Sequence, residues 1–258
     1  DSSSIYTHDV SSTDNLARSN TGYGMTSLDA ITTGDNNAVF GFAAATALTT
    51  GVENTALGRG AMQTATTAAY NVAVGTNAGN AMTEGNLYNV LVGHSAGIAV
   101  TTGDYNTFVG ATAGTVVTTG ANNTLIGNNA GTGSSPSNIA TASNRIVLGN
   151  NSVTNAHIKV DWTVTSDARD KMNFASVPHG LSFVNDLQPF KFDFKKSRDD
   201  ATPHGTTKYG FKAQDILALE GDNPIIVDNE NEDSLSITNS NLIPVLVKAI
   251  QELSAEIE

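Results

Sequence analysis

The chain has 258 residues, a formal net charge of −12, no cysteine and 15% charged side chains. A surface this acidic repels phosphates, which argues against duplex nucleic acid or an anionic membrane as partner. No disulfide framework or cysteine-based metal site can form, and no apolar run reaches the roughly 18 residues of a membrane-spanning helix.

Composition divides the chain in two. Asp, Glu, Lys and Arg number 13 in residues 1–165 and 25 in residues 166–258. The first part is rich in Thr, Asn, Ala and Gly, whereas the second reads as an ordinary globular domain, and the boundary falls near Val164-Thr165-Ser166. The chain opens on Asp1 rather than Met and a helical pattern runs up to Glu258, which reads as a piece of something longer.

After a lead-in segment, residues 1–19, Asn-x-x-x-Gly recurs through residues 20–131. Its copies are Asn20 to Gly24, Asn37 to Gly41, Asn54 to Gly58, Asn71 to Gly75, Asn89 to Gly93, Asn106 to Gly110 and Asn123 to Gly127. The glycines stand 17, 17, 17, 18, 17 and 17 residues apart. Ala-Gly follows four of them, at Ala78-Gly79, Ala96-Gly97, Ala113-Gly114 and Ala130-Gly131. Self-similarity at this period indicates a solenoid or fibre.

Each repeat holds one strand-sized piece, such as Ala38-Val39-Phe40, Val72-Ala73-Val74 or Thr124-Leu125-Ile126, bounded by Gly and Asn turn signals. One strand per turn at about 4.8 Å makes seven turns a rod on the order of 30 Å long. The repeat is poor in large apolar residues, so a single chain buries little per turn against roughly 1–2 kcal/mol of backbone entropy per residue. Three chains sharing an axis, with their Ala and Gly faces together, is therefore the expected arrangement: a homotrimer. A disordered linker does not keep a 17-residue register, and a calcium-binding roll needs Asp where this repeat fixes Asn. The repeat resembles those of bacteriophage tail fibres and, more distantly, the heads of trimeric autotransporter adhesins.

Residues 132–165 form a β transition region. A breaker-rich stretch with Pro136 precedes an expected strand pair around Ile146-Val147-Leu148-Gly149 and Ile158-Lys159-Val160. Trp162 is expected in a core or a trimer interface. Then comes Thr165-Ser166-Asp167-Ala168-Arg169-Asp170-Lys171. A Ser and a Lys five residues apart can form a nucleophile–base pair where the lysine is held neutral, but the spacing alone says little.

Its context says more. Ser166 to Lys171 is followed in order by Gly180 to Phe192, Tyr209 to Ile216 and Leu246 to Leu253. Together these blocks resemble the C-terminal intramolecular chaperone, or auto-processing peptidase, domain of phage tailspikes and tail fibres, across residues 166–258. The resemblance implies a domain that trimerises, guides folding of the β-fibre before it, and cuts itself off as a self-cleaving serine endopeptidase. It implies a scissile bond at Thr165–Ser166, with Ser166 as nucleophile, Lys171 as base, and Asp167 and Arg169 in support. Asp170, where the family often has an apolar residue, opposes a neutral Lys171 if the side chains meet. On a strand the two would point to opposite faces.

Within this part, Pro178 to Leu187 reads as a short helix, Phe190, Phe192 and Phe194 alternate as on a half-buried strand, and Ala213 to Leu219 reads as a second helix. Asp228 to Asp233 reads as an exposed loop without the ligand spacing of a calcium loop. In the last helix Leu246, Ile250, Leu253 and Ile257 recur at steps of 4, 3 and 4, a coiled-coil seam suited to three copies. His8, His94, His157, His179 and His204 show no ligand or triad spacing. No cofactor and no metal is expected.

The expected fold is thus mainly β: a trimeric β-helix or β-roll fibre of 17-residue repeats, followed by a small α+β chaperone domain ending in a coiled-coil helix. The expected function is a phage tail-fibre segment, structural and host-attaching, whose chaperone is released by autocleavage. Expected partners are the other two chains, further virion tail proteins and a host surface glycan or receptor, without membrane insertion. The expected location is the virion, after assembly in the host cytoplasm. The alternative is a bacterial trimeric surface adhesin with a similar self-processing domain. No paired carboxylates recur on the repeat, as a conventional glycosidase would need.

Overall fold

The computed structural model describes residues 5–6, 16–133, 137 and 139–257. Most of the lead-in segment, with His8, and Pro136 of the breaker-rich stretch lie outside the described residues. The chain forms two compact units, Asp1–Val153 and Thr154–Glu258.

The first unit is a β-solenoid of about seven turns. Its strands are β1 (Ile5–Tyr6), β2 (Thr21–Tyr23), β3 (Ala38–Phe40), β4 (Thr55–Leu57), β5 (Val72–Val74), β6 (Val90–Val92), β7 (Thr107–Val109), β8 (Thr124–Ile126) and β9 (Ile146–Leu148). They run in chain order in one parallel sheet. Val39 pairs with Ala56 and Ala56 with Ala73, so one turn of sequence is one step of the sheet. The expected strand at Ile146 to Gly149 is the last rung, β9. Its expected partner around Ile158 to Val160 forms no strand and lies exposed, as does Trp162, which joins no core of this chain.

Backbone bonding continues around each turn beyond the strand. At one corner Ala45, Met62, Gly79 and Gly97 donate N–H bonds of 2.8–3.0 Å to Ala61, Ala78, Ala96 and Ala113 of the next turn. At another, Thr49 N–H and Oγ1 both donate to the Thr66 carbonyl, at 2.9 and 3.0 Å. The Gly of Asn-x-x-x-Gly is set by this closeness. From Gly24 to Gly110 its φ lies between 132° and 142°, and a Cβ would strike the backbone carbonyl of the glycine one turn on. Only glycine combines that φ with that approach.

The repeat's asparagines are buried in a column. Asn37 donates its N–H (2.8 Å) and its Nδ2 (3.0 Å) to Asn20 Oδ1, while Asn37 Oδ1 accepts from Asn54 N and Nδ2 at 3.0 Å each. Most of these Nδ2 groups also reach a carbonyl across their own turn, as Asn37 to Gly51 at 2.9 Å and Asn106 to Gly120 at 2.9 Å, while Asn86 takes that role for the turn of Asn89 by donating to Gly103 at 3.1 Å. The column ends where Arg145 N–H donates to Asn123 Oδ1 at 3.0 Å.

The small residues lie inside. Ala44, Ala61, Ala78, Ala96, Ala113 and Ala130 are fully buried within the single chain, in one core with Val39, Leu48, Met62, Leu91, Phe108 and Leu125. The expectation that Ala and Gly faces meet between three chains is therefore corrected. Each turn is narrow enough for its own walls to touch, and small side chains are what that narrowness admits.

Core volume is shared within a turn. In the turn whose inward strand residue is the small Ala56, the corner six residues on is large, Met62; in the turn of Ala73 the corner is Gly79, and Met82 with Leu91 of the next turn lies against it. Where the inward residue is large, as Phe108 or Leu125, the corner is Gly114 or Gly131, and a Cβ there would overlap the Phe108 ring or Leu125 Cδ1. Met62 and Gly114 share a left-handed backbone, φ 52° and 65°, so the exchange is one of volume. Gly114→Met alone is expected to cost about 1–3 kcal/mol or more by overpacking, and Phe108→Ala about 3–5 kcal/mol. The double variant, which copies the Ala56/Met62 turn, is expected to recover about 1–3 kcal/mol of coupling in a denaturation cycle. Additive costs would contradict volume sharing.

The second unit contains α1 (Leu181–Asp186), β10 (Phe190–Lys195), β11 (Pro203–Gly210), α2 (Ala213–Glu220), β12 (Val227–Asp228), β13 (Ser236–Ile237) and α3 (Leu242–Ile257). β10 pairs antiparallel with β11, and β12 with β13. Phe183, Leu187, Ile216, Ile226, Val227, Leu242 and Val245 make its core. The two expected helices and the Phe strand are present, and the acidic Asp228 to Asp233 loop joins β12 to β13.

Candidate functional site

The segment that opens the resembling blocks folds by local bonding. Asp167 caps a single 3-10 turn, Ala168–Asp170, by accepting the Arg169 N–H at 2.9 Å on Oδ1. The Arg169 guanidinium turns back onto the same carboxylate, Nη2 to Oδ2 at 2.6 Å and Nε to Oδ1 at 3.1 Å. These bonds lower the pKa of the Asp167 carboxyl from its ordinary value, and the same side-chain hydrogen bonding raises that of Arg169. Lys171 N–H closes the turn on the Ala168 carbonyl at 3.2 Å.

The turn reverses the chain so that residue 171 comes back over residue 166. Lys171 Nζ donates to Ser166 Oγ at 2.6 Å. Both side chains are exposed. Asp170 sits on the turn, not on the strand expected for it, and makes no ion pair with Lys171 among the described residues. Of the expected site residues the structure therefore brings Ser166 to Lys171 and Asp167 to Arg169, with Thr165 directly before the pair.

The expected seam residues lie along α3. Leu242, Val245 and Ala249 of that helix are buried in the unit, whereas Leu246, Ile250, Leu253 and Ile257 are exposed. One helix thus packs on its own core and leaves a second apolar stripe open.

Two carboxylate clasps carry no local sequence signal. Glu220, at the end of α2, accepts the N–H groups of Ile225, Ile226 and Val227 at 2.8–3.0 Å. Glu252 of α3 accepts the Leu181 N–H at 2.7 Å, capping α1 from 71 residues away, and pairs with Lys248 at 3.3 Å. Gly180 leaves room for that carboxylate, since a Cβ there would overlap it. Among the described residues no group of three or more His, Cys, Asp or Glu is placed to hold a metal ion, and no helix is long and apolar enough to cross a membrane.

The β-solenoid, with the family match that follows, fits a phage tail fibre with a C-terminal chaperone domain. Residues 166–222 match the peptidase-family model described as the chaperone of endosialidase, and the match begins on Ser166. It covers that segment and not the whole chain. No curated protein and no solved structure matches the chain.

The Leu181 N–H, first among its causes, lowers the Glu252 pKa. A carboxylate whose pKa is depressed on folding stabilises above its unfolded pKa and loses that stabilisation as pH falls through the folded value. The difference in thermal stability between wild type and Glu252→Gln is thus expected to be widest above the ordinary glutamate range and to close as acid protonates the folded-state carboxylate. A difference independent of pH would assign the clasp to packing alone.

Proposed function

We propose that the chain is a tail-fibre segment whose C-terminal domain brings three chains together, guides folding of the solenoid, and is then released by cutting the Thr165–Ser166 bond. The observation that carries this is the 2.6 Å approach of Lys171 Nζ to Ser166 Oγ, at the residue where the family match begins.

The chemistry follows from a serine cutting the bond on its own amino side. Ser166 Oγ attacks the Thr165 carbonyl carbon while a neutral Lys171 amine takes the hydroxyl proton. The tetrahedral centre collapses with loss of the C–N bond, and the lysine ammonium returns its proton to the departing Ser166 nitrogen. Thr165 is then an ester of Ser166 Oγ. Water hydrolyses it, leaving a carboxylate at Thr165 and a free amine and hydroxyl at Ser166. Asp167 and Arg169 position the turn and touch no reacting atom.

Burial disfavours the ammonium form of a lysine. Neighbouring chains of the trimer, joined through the open stripe of α3, supply that burial on this reading. The finished fibre joins other tail proteins on the virion, after assembly in the host cytoplasm, and presents the solenoid to a host surface glycan or receptor.

On a denaturing gel the wild-type chain of 258 residues is expected to yield fragments of 165 and 93 residues, and Ser166→Ala and Lys171→Ala to remain whole. Cutting of both variants at the wild-type rate removes the pair from the chemistry. A chain lacking residues 166–258 is expected to lose soluble trimer. Native trimers from it would refute the chaperone role.

A further inference from the structure

Parallel sheets are ordinarily covered on both faces. The inner face of this sheet rests on the solenoid's own core, and several side chains of the outer face are exposed among the described residues. One outward column of that face is aromatic or aliphatic along its length, and the other mixes threonine with Ala38, Val72, Val90 and Ile146. Neither outward position of any strand from β2 to β9 holds Asp, Glu, Lys or Arg, in a chain of net charge −12. Phe40, Leu57, Val109, Ile126 and Leu148 form one outward column and are 39–54% exposed. Over seven strand steps of about 4.8 Å the strip runs on the order of 34 Å, and an exposed strip of this kind marks an interaction surface.

We infer that this face is where the solenoids of identical chains pack, parallel and in register; the inference rests on the homotrimer reading above. An identical chain presents a strip of the same length, pitch and side-chain sequence. Charge selects the face as well. Copies this acidic repel one another, and the outer sheet face brings no formal charges together.

The strip also encodes register. Its N-terminal end is aromatic, with Tyr23 stacked on Phe40 at 5.8 Å; its middle is Val74 and Val92, and its far end Ile126 and Leu148. Copies displaced by one turn set Phe40 against Leu57 and Leu57 against Val74, while Val74, Val92 and Val109 still meet valine, so the N-terminal part of the strip is what favours the aligned pairing.

The native chain has no cysteine, which makes a crosslinking test clean. Val109→Cys and Ile126→Cys are placed singly in the full-length chain and treated with a short bis-maleimide. Gln63→Cys, exposed on the turn away from the strand, is the control. The strip variants are expected to give linked dimers at least ten times more readily than the control. Leu57→Glu/Ile126→Glu is expected to reduce the mass of the solenoid assembly by light scattering while far-UV circular dichroism stays unchanged, because both side chains point out of the core. A wild-type trimer with crosslinking no better than the control and an unchanged mass for the double variant would overturn the inference and leave the homotrimer standing. A monomeric wild type would overturn both, and would give the strip to a partner other than the chain itself.

Discussion

An amide buried away from water must find partners in the protein, and the asparagine column of the solenoid finds them one turn away. From Asn20 to Asn89 each Oδ1 accepts two donors from the following asparagine, and most of the Nδ2 groups span their own turn to a carbonyl. No turn satisfies its asparagine alone. Stability is therefore a property of neighbouring turns, as in other repeat architectures, and an isolated turn would leave a polar group unpaired at about 1–3 kcal/mol. The glycine column, the threonine carbonyl contacts and the short strands all operate at the spacing this arrangement imposes.

That spacing also explains how so small a hydrophobic content can hold a single chain together. The turn is narrow, so alanine reaches across it. A large inward residue is admitted only where the facing corner gives up its side chain, as Phe108 does against Gly114. The asparagines are alike in every turn and cannot distinguish one register from the next. The core volumes differ from turn to turn and can. Regularity and specificity thus reside in different columns of the same repeat.

The period, the strand positions and the role of the repeat glycine were legible in the sequence because each is a local demand on backbone conformation. What lies inside was not. The sequence shows that Ala78 and Gly79 recur, but whether they face a shared axis or the chain's own interior depends on the width of a closed turn, and a period does not specify width. Around Ile158 to Val160 the alternation suggested a strand, and the chain is exposed and unpaired in a ladder there, because alternation alone does not supply a partner. The pairing of Ser166 with Lys171 was suggested by the resemblance and not by their spacing, and the structure adds the 2.6 Å contact between the two side chains. The Glu252–Leu181 cap was not legible, since it joins residues 71 apart through the packing of two helices.

On the proposed reading, the exposure of the Ser166–Lys171 pair is a matter of timing. A pair already dry in the lone chain would cut as soon as the turn formed, and the turn is local, so it forms early. The chaperone would be lost before three chains had met. A pair whose geometry is preset by Asp167 and Arg169, but whose lysine stays solvated until other chains cover it, cannot act before assembly. Local bonding then prepares the reaction and association permits it, which makes the cut a consequence of correct pairing and leaves a fibre protected by its own unfolding barrier.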